Sequence, residues 1–208
     1  MNTATRSRFR GAATAAASLA TLAVIGLAAP STAAAYDEPA QARSASRASA
    51  GAERGSGRYY LKFTKNLEHP DRSTLSLVHN GFPVKTYRAG SGLGVTDECR
   101  SNKGWLPNGT YQVTGHQTNR NSKIKGYAIQ LSDKKCHPKP GKKAVTRGAL
   151  FIHSEMTKNG GRGSTEPTRW DGDKDYKSNG CIKLHPDHIK DLFSRLENHW
   201  PDLTLQVG

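Results

Sequence analysis

Alternating apolar and polar positions beyond residue 58 predict a series of short β-strands. Residues 74–87, TLSLVHNGFPVKTY, form two such runs joined at Asn80-Gly81. This dipeptide suits the positive φ angles of a type I′ turn, so the pattern predicts a β-hairpin. Clusters of Gly, Pro, Asn and Lys separate the other predicted strands, at 59–64, 110–114, 127–131, 149–153, 182–184 and 203–207.

One convincing helix is predicted near the C-terminus. It begins at Pro186, a residue favoured in the first turn of a helix. Apolar residues then follow at the i, i+3, i+4, i+7 spacing of one helix face: Ile189, Leu192, Phe193 and Leu196. The sequence therefore predicts a mainly β domain of antiparallel or mixed sheets, with one or two helices and a C-terminal helix packed on it.

The N-terminal residues lack such patterns and read as a processing segment. Basic residues at 6, 8 and 10, an apolar stretch at 11–29 and the triplet Ala33-Ala34-Ala35 predict a signal peptide over residues 1–35. Residues 36–57, rich in Ala, Ser, Arg and Gly, predict a disordered linker or pro-segment. Residues 58–208 have the size of one domain, and no later stretch is apolar enough for a transmembrane helix.

The composition is strongly basic. The formal net charge is +14, and the predicted signal peptide carries only three of these charges. For an exported protein, such a field favours anionic wall polymers, anionic lipid surfaces or free carboxylates as neighbours. Nucleic-acid binding is not indicated, because the lysines are scattered over turns without aromatic stacking positions.

Three cysteines leave one thiol unpaired in an exported chain. Cys99 and Cys136 lie in polar, loop-like surroundings, so we favour a disulfide between them over the other pairings. Cys181 stands in the apolar context of SNGCIKL, and it is either a buried small hydrophobe or a nucleophile. A free thiol is a liability in an oxidising compartment, which favours a functional role.

A nucleophilic thiol requires a base. His153 ends the apolar run GALFIHSE, where a strand would hold an imidazole at a sheet edge, and Ser154 follows it.

A metal site is not expected. His185, Asp187 and His188 lack a second pair of ligands at suitable spacing.

The runs FIHSE and SNGCIKL, followed by a helix, resemble the signature of the L,D-transpeptidase (YkuD-type) catalytic domain. Upstream, LSLVHNGFPVKTYRAGSG and GWLPNGTYQVTG resemble a hairpin and a strand of the same family. The likeness extends from about residue 59 to 207. It implies a β-sandwich of mixed sheets with the C-terminal helix packed on it.

The resemblance also implies a reaction. Cys181 would attack a carbonyl of a peptidoglycan stem peptide, form a thioester and transfer the acyl group to an amine, which gives a 3→3 cross-link. His153 would be the general base and Ser154 would orient it, while the N–H groups of Gly180 and Cys181 would bind the oxyanion. No metal or organic cofactor is expected.

Two features depart from the family pattern. Asn179 stands where the family has a second histidine, and residues 154–177 form a longer segment than usual. This segment predicts a flap over the site, although an ordinary solvated loop is the alternative. The residues expected to contact substrate are Ser178, Asn179, Lys183, Trp170 and Tyr176. For Lys183 the alternatives are hydrogen bonds that hold the loop around Cys181 or a solvent-facing position, and for the two aromatic residues the alternative is core packing.

Other functions remain open from the sequence. Water instead of an amine as acceptor would make the protein an L,D-carboxypeptidase or hydrolase. A non-catalytic, basic wall-binding module is the rival outside enzymes. Sortases are disfavoured because their Thr-Leu-x-Thr run is absent here. NlpC/P60 and papain-like peptidases are disfavoured because their cysteine precedes their histidine, whereas here the histidine comes first. We expect a secreted or wall-associated monomer.

Overall fold

The computed structural model describes residues 57–208, so the predicted signal peptide and all of the linker except Gly57 lie outside the described residues. Ten strands and one α-helix form this part of the chain. The strands are β1 Tyr59–Thr64, β2 Ser73–His79, β3 Phe82–Ser91, β4 Gly109–Asn121, β5 Lys125–Leu131, β6 Lys134–Lys135, β7 Thr146–Arg147, β8 Phe151–His153, β9 Ile182–Leu184 and β10 Thr204–Val207. The helix α1 spans Pro186–Leu196.

Eight strands form one closed barrel in the order β1-β10-β4-β5-β8-β9-β3-β2. Neighbours are antiparallel except for the parallel pairs β1 with β10 and β8 with β9. The mainly β, mixed architecture with a C-terminal helix is confirmed. The expected sandwich is a continuous barrel here, and such closure leaves no unpaired strand edge.

The predicted hairpin is present between β2 and β3. Asn80 and Gly81 have φ angles of 53° and 82°, as a type I′ turn requires. The helix is also confirmed: it buries its four apolar side chains in the main core. His185 is its N-cap, and its Nδ1 accepts a hydrogen bond from the Asp187 N–H at 3.2 Å.

Two parts of the sheet differ from the sequence prediction. β4 runs to Asn121, beyond the predicted end at 114, and β5 begins at Lys125 rather than 127. The added residues are mostly exposed, so no alternating pattern marks them. The second difference is the small two-stranded sheet of β6 and β7, which was not predicted because each strand has only two residues.

The cysteine pairing agrees with the prediction. Cys99 and Cys136 form a disulfide with their Cα atoms 5.2 Å apart, and Cys181 is free and buried.

Within residues 57–208, no helix has the length and apolar character needed to span a membrane.

Candidate active site

Strands β8 and β9 bring Cys181 and His153 to the same region. The two strands are parallel neighbours, with Ile152 opposite Ile182 and His153 opposite Lys183. Continuing this register by one residue places Phe151 opposite Cys181. Strand spacing and rise then put the Cα atoms of Cys181 and His153 about 8 Å apart along a diagonal.

The alternation of side chains places both groups on one face of the sheet. Ile152 and Ile182 point to the opposite face and belong to the main core. Phe151, Cys181 and Ala128 form a separate small cluster, against which Ile124 from the β4–β5 turn packs. The thiol and the imidazole therefore share a surface that the β4–β5 hairpin borders.

His153 is buried and its tautomer is defined. Its Nδ1 lies 3.0 Å from the carbonyl oxygen of Ser154. Because a carbonyl only accepts, Nδ1 carries the proton and Nε2 keeps its lone pair. Burial, assisted by the charge of Lys183, lowers the pKa of His153 to about 4. The imidazole is thus neutral near pH 7 and able to take a proton.

The Cys181 thiol is protonated at rest. Burial raises the pKa of Cys181, while the Phe151 N–H and the Arg147 charge oppose this rise. The S–H group lies 3.8 Å from the carbonyl oxygen of Ala149. Ala149 has a φ of 51°, a left-handed conformation that is uncommon outside glycine and that places this carbonyl beside the thiol.

Ser178 braces the turn that carries the nucleophile. Its hydroxyl donates to the Cys181 carbonyl at 2.6 Å and accepts from the Gly92 and Gly180 N–H groups at 3.3 Å each. Ser178 is therefore a buried part of this turn rather than the expected substrate contact. The Gly180 N–H, one of the two expected oxyanion donors, is directed at Ser178 by a long hydrogen bond.

The sequence profile of the YkuD L,D-transpeptidase catalytic domain matches residues 68–201, more than half of the chain. The chain belongs to the YkuD family of L,D-transpeptidase catalytic domains. This match confirms the resemblance seen in the histidine and cysteine motifs. No curated protein is significantly similar to the chain.

Several solved structures are similar to this YkuD domain. L,D-transpeptidase 1 of Mycobacterium tuberculosis is 15% identical, with 72% of this chain and 62% of that chain covered and a TM-score of 0.39. The Enterococcus faecium L,D-transpeptidase is 16% identical, with 73% of this chain and 50% of that chain covered and a TM-score of 0.42. The L,D-transpeptidase of Stackebrandtia nassauensis is 17% identical, with 72% of this chain and 55% of that chain covered and a TM-score of 0.41. This chain thus covers 50% to 62% of the length of these structures.

The Ser154 side chain does not perform the role predicted for it. Its backbone carbonyl orients His153, whereas its hydroxyl is buried and has no hydrogen-bond partner among residues 57–208. The prediction thus identified the residue but not the atom. Sequence cannot separate the two, because every residue type supplies the same carbonyl.

Lys183 of the YkuD motif contacts both ends of the segment 154–177, which agrees with the alternative that it holds the loop before Cys181 through hydrogen bonds. It is only 4% exposed. Its ammonium group binds the Glu155 carboxylate at 2.6 Å and the Lys177 carbonyl at 3.0 Å. Both ends of the segment are thereby attached to β9.

The aromatic residues of this segment pack on the protein. The Trp170 indole donates to the Glu155 carbonyl at 3.0 Å and meets the Tyr176 ring edge-on. Tyr176 is buried under the Arg88 guanidinium, 4.1 Å from its ring centroid, and it lines a surface cavity together with Trp170 and His185. That this cavity receives substrate stays a prediction. Asn179, the remaining predicted contact, is exposed beside the nucleophile.

Three contributors to the site were missed from the sequence: the buried cation Arg147, the Phe151 N–H and the Glu155 carboxylate. Arg147 ends a basic run, KKAVTR, in which nothing distinguishes it from solvent-exposed lysines.

Among the described residues, no group of three or more His, Cys, Asp or Glu side chains is placed to hold a metal ion.

Proposed function

We propose that this protein is a secreted L,D-transpeptidase that cross-links peptidoglycan stem peptides through a thioester on Cys181. One observation carries the proposal. A free thiol and a neutral, oriented imidazole lie on one face of two adjacent parallel strands. A nucleophile beside a general base whose tautomer a third group defines is the arrangement that acyl transfer requires.

In the first step, Sγ of Cys181 attacks the carbonyl of the L-centre while its proton passes to Nε2 of His153. The Ser154 carbonyl stabilises the imidazolium by accepting from Nδ1. Collapse of the tetrahedral intermediate breaks the peptide bond. The imidazolium then protonates the amine of the departing D-residue, which leaves a thioester and a neutral imidazole.

In the second step, the amine of a neighbouring stem peptide attacks the thioester. His153 takes a proton from this amine and returns it to the Cys181 sulfur, so the free enzyme and a 3→3 cross-link result. Water in place of the amine would release a shortened peptide. The acceptor decides between transpeptidase and carboxypeptidase.

The nucleophile is tested by intact-mass analysis after exposure to a carbapenem. We expect one stoichiometric adduct that peptide mapping places on Cys181. The adduct should be absent in Cys181→Ala, and in His153→Ala it should form about 100-fold more slowly or worse. An adduct on another residue would overturn the assignment of the nucleophile.

The acceptor is tested with a disaccharide tetrapeptide, whose products mass spectrometry separates. A cross-linked dimer indicates transpeptidation, and the tripeptide without dimer indicates hydrolysis. Cys181→Ala is the control and should give neither product. If Cys181→Ala retains the full biological effect of the wild type, the protein acts as a basic wall-binding module.

Export is part of the proposal. The Cys99–Cys136 disulfide supports it, because such bridges persist in oxidising compartments. N-terminal sequencing of protein recovered from the culture medium or wall fraction should begin at Tyr36. Intracellular recovery of the uncleaved chain as the only form would contradict secretion.

A further inference from the structure

Arg147 is a buried cation behind the loop that carries the nucleophile. Its side chain lies on β7, and the residue is 4% exposed. The guanidinium donates only to backbone oxygens, those of Glu98, Trp105 at 3.5 Å and Gly104 at 3.4 Å. A guanidinium keeps its proton in proteins, so a full positive charge is held at this place.

No carboxylate in residues 57–208 forms an ion pair with this charge. The nearby Glu98 carboxylate is already bound to Lys65 at 2.8 Å and to His137 at 2.9 Å. A buried charge without a partner of opposite sign is strongly unfavourable, and carbonyl dipoles compensate it only in part. Burial lowers the pKa of Arg147, while the charges of Tyr111, Cys181 and Glu98, when ionised, raise it. A negative sulfur at Cys181 would therefore be stabilised by this cation.

The nucleophile loop lies directly against the guanidinium. A Cβ atom at Gly180 would collide with Nη2 of Arg147, and Gly180 has a φ of 106° that favours glycine. The next residue is Cys181. The charge of Arg147 acts on the thiol and lowers its pKa, against the larger opposing effect of burial.

The other charged groups around Cys181 are engaged elsewhere. Lys183 of β9 is paired with Glu155, and Arg120 of β4 stacks on the Phe151 ring at 4.7 Å. His153 of β8 is neutral near pH 7 because its pKa is about 4. Among the charged groups of residues 57–208, Arg147 is the one whose charge lowers the pKa of Cys181.

We propose that Arg147 is the counter-charge of the Cys181 thiolate and positions the nucleophile loop through Gly180. When His153 removes the thiol proton, negative charge develops on sulfur next to a fixed cation that is already dehydrated and oriented, so little reorganisation is needed. The inference rests on the proposed function only for the identity of the nucleophile.

The disulfide maintains this arrangement. Cys99 follows Glu98, whose carbonyl accepts from Arg147. On the other side, the Cys136 N–H donates to the Val145 carbonyl at 3.0 Å, two residues before Arg147. The bridge therefore ties the loop that supplies the acceptor carbonyls to the hairpin that carries the cation.

The test measures the rate of Cys181 alkylation by iodoacetamide against pH, which yields the apparent thiol pKa without any wall substrate. Arg147→Met removes the charge, and Arg147→Gln removes it while keeping amide donors for the carbonyls. Both should raise the apparent pKa by about one unit, which slows alkylation about tenfold at pH 7.5.

The exposed Arg100, next to Cys99, is the matched control, and Arg100→Met should leave the thiol pKa unchanged. Circular dichroism and mass analysis establish that each variant is folded with its disulfide closed. A folded neutral variant at position 147 with an unchanged thiol pKa would assign Arg147 a purely structural role and overturn the proposal.

A second measurement compares two reagents on the same variants. The ratio of alkylation rates with anionic iodoacetate and neutral iodoacetamide should be lower in Arg147→Met than in wild type, because the substitution removes a cation beside the sulfur, whereas Arg100→Met removes the same net charge and should leave the ratio unchanged. An equal ratio in Arg147→Met and Arg100→Met would overturn the proposal. If these results hold but no carbapenem adduct or cross-link forms, the proposed function fails and the assignment of Arg147 stands.

Discussion

At the scale of single residues, the resting site is an uncharged pair. Burial lowers the pKa of His153 to about 4 and raises that of Cys181, so both groups are neutral near pH 7. In the proposed reaction, charge separates only when the thiol attacks. The Ser154 carbonyl, the Phe151 N–H and the Arg147 guanidinium are placed to stabilise it.

The first prediction concerns His153 and pH. The pKa of His153 is about 4 in the folded protein and near its ordinary value of 6.5 in the unfolded chain. The unfolded chain therefore binds a proton at this histidine more readily than the folded protein does. Stability should fall as pH decreases from about 6.5 to 4, by up to about 3 kcal/mol. Urea unfolding across this range should show the decrease in wild type and a weaker one in His153→Gln. If the free energy of unfolding falls equally in wild type and in His153→Gln, His153 is not the buried, neutral histidine described above.

The same shift predicts the pH profile of acylation. Since the base stays neutral in the folded protein, the rate of carbapenem adduct formation should show no inflection near pH 6.5 on the acid side. Stopped-flow absorbance from pH 5 to 8 measures this. A rate that halves at pH 6.5 would show that His153 titrates like a free imidazole.

Two buried serines provide a matched comparison. Ser154→Ala removes a hydroxyl without a partner, so stability should change by less than about 1 kcal/mol and acylation by less than about threefold. Ser178→Ala removes three hydrogen bonds that hold the Cys181 turn, and should destabilise by about 1–3 kcal/mol and slow acylation at least tenfold. Equal effects in urea unfolding and adduct kinetics would contradict these contrasting roles.

At the scale of elements, the segment 154–177 is attached to the site strands rather than free. Lys183 on β9 binds Glu155 near its start and Lys177 at its end. Trp170 folds back onto Glu155. Motion of this segment over the thiol therefore requires these contacts to break together.

Glu155→Gln should loosen this attachment. The substitution leaves a buried ammonium without its carboxylate, and we expect a loss of about 1–2 kcal/mol, since Glu155 is itself partly exposed. Limited proteolysis should cut within 154–177 faster than in wild type. Glu166→Gln, which removes an exposed pair with Arg169, is the control and should behave like wild type. Equal cleavage of all three proteins would exclude an anchoring role.

At the scale of the whole molecule, positive charge dominates. The excess of Lys and Arg over Asp and Glu gives the chain a formal charge of +14, and most Lys and Arg side chains of residues 57–208 are exposed to solvent. Such a field attracts polyanions over distances that salt shortens. We therefore expect electrostatic binding to wall polymers to be independent of the proposed reaction at Cys181.

We expect the protein to bind anionic wall polymers in a salt-dependent manner. Retention of purified protein on such polymers should be high at about 0.05 M NaCl and largely lost at about 0.5 M. Cys181→Ala should show the same curve, because the substitution changes no charge at neutral pH. Retention that is insensitive to salt would contradict an electrostatic association and would indicate a specific pocket.

The sequence by itself determined the features that depend on local stereochemistry and periodicity. Asn80-Gly81 specified its hairpin because few other dipeptides accept two positive φ angles, and α1 followed from the spacing of its apolar face. The motifs around His153 and Cys181 indicated the family, since they lie within short contiguous runs. The cysteine contexts indicated the disulfide.

Only the tertiary structure decided what joins distant segments. The extension of β4 carries no apolar alternation because both its faces are largely exposed. The partners of Arg147, Ser154 and Lys183 are backbone carbonyls or side chains brought together by the fold, and a carbonyl has no residue-specific signature. A sequence records which side chains exist, but the burial that shifts their pKa values and selects their partners arises only when the barrel closes.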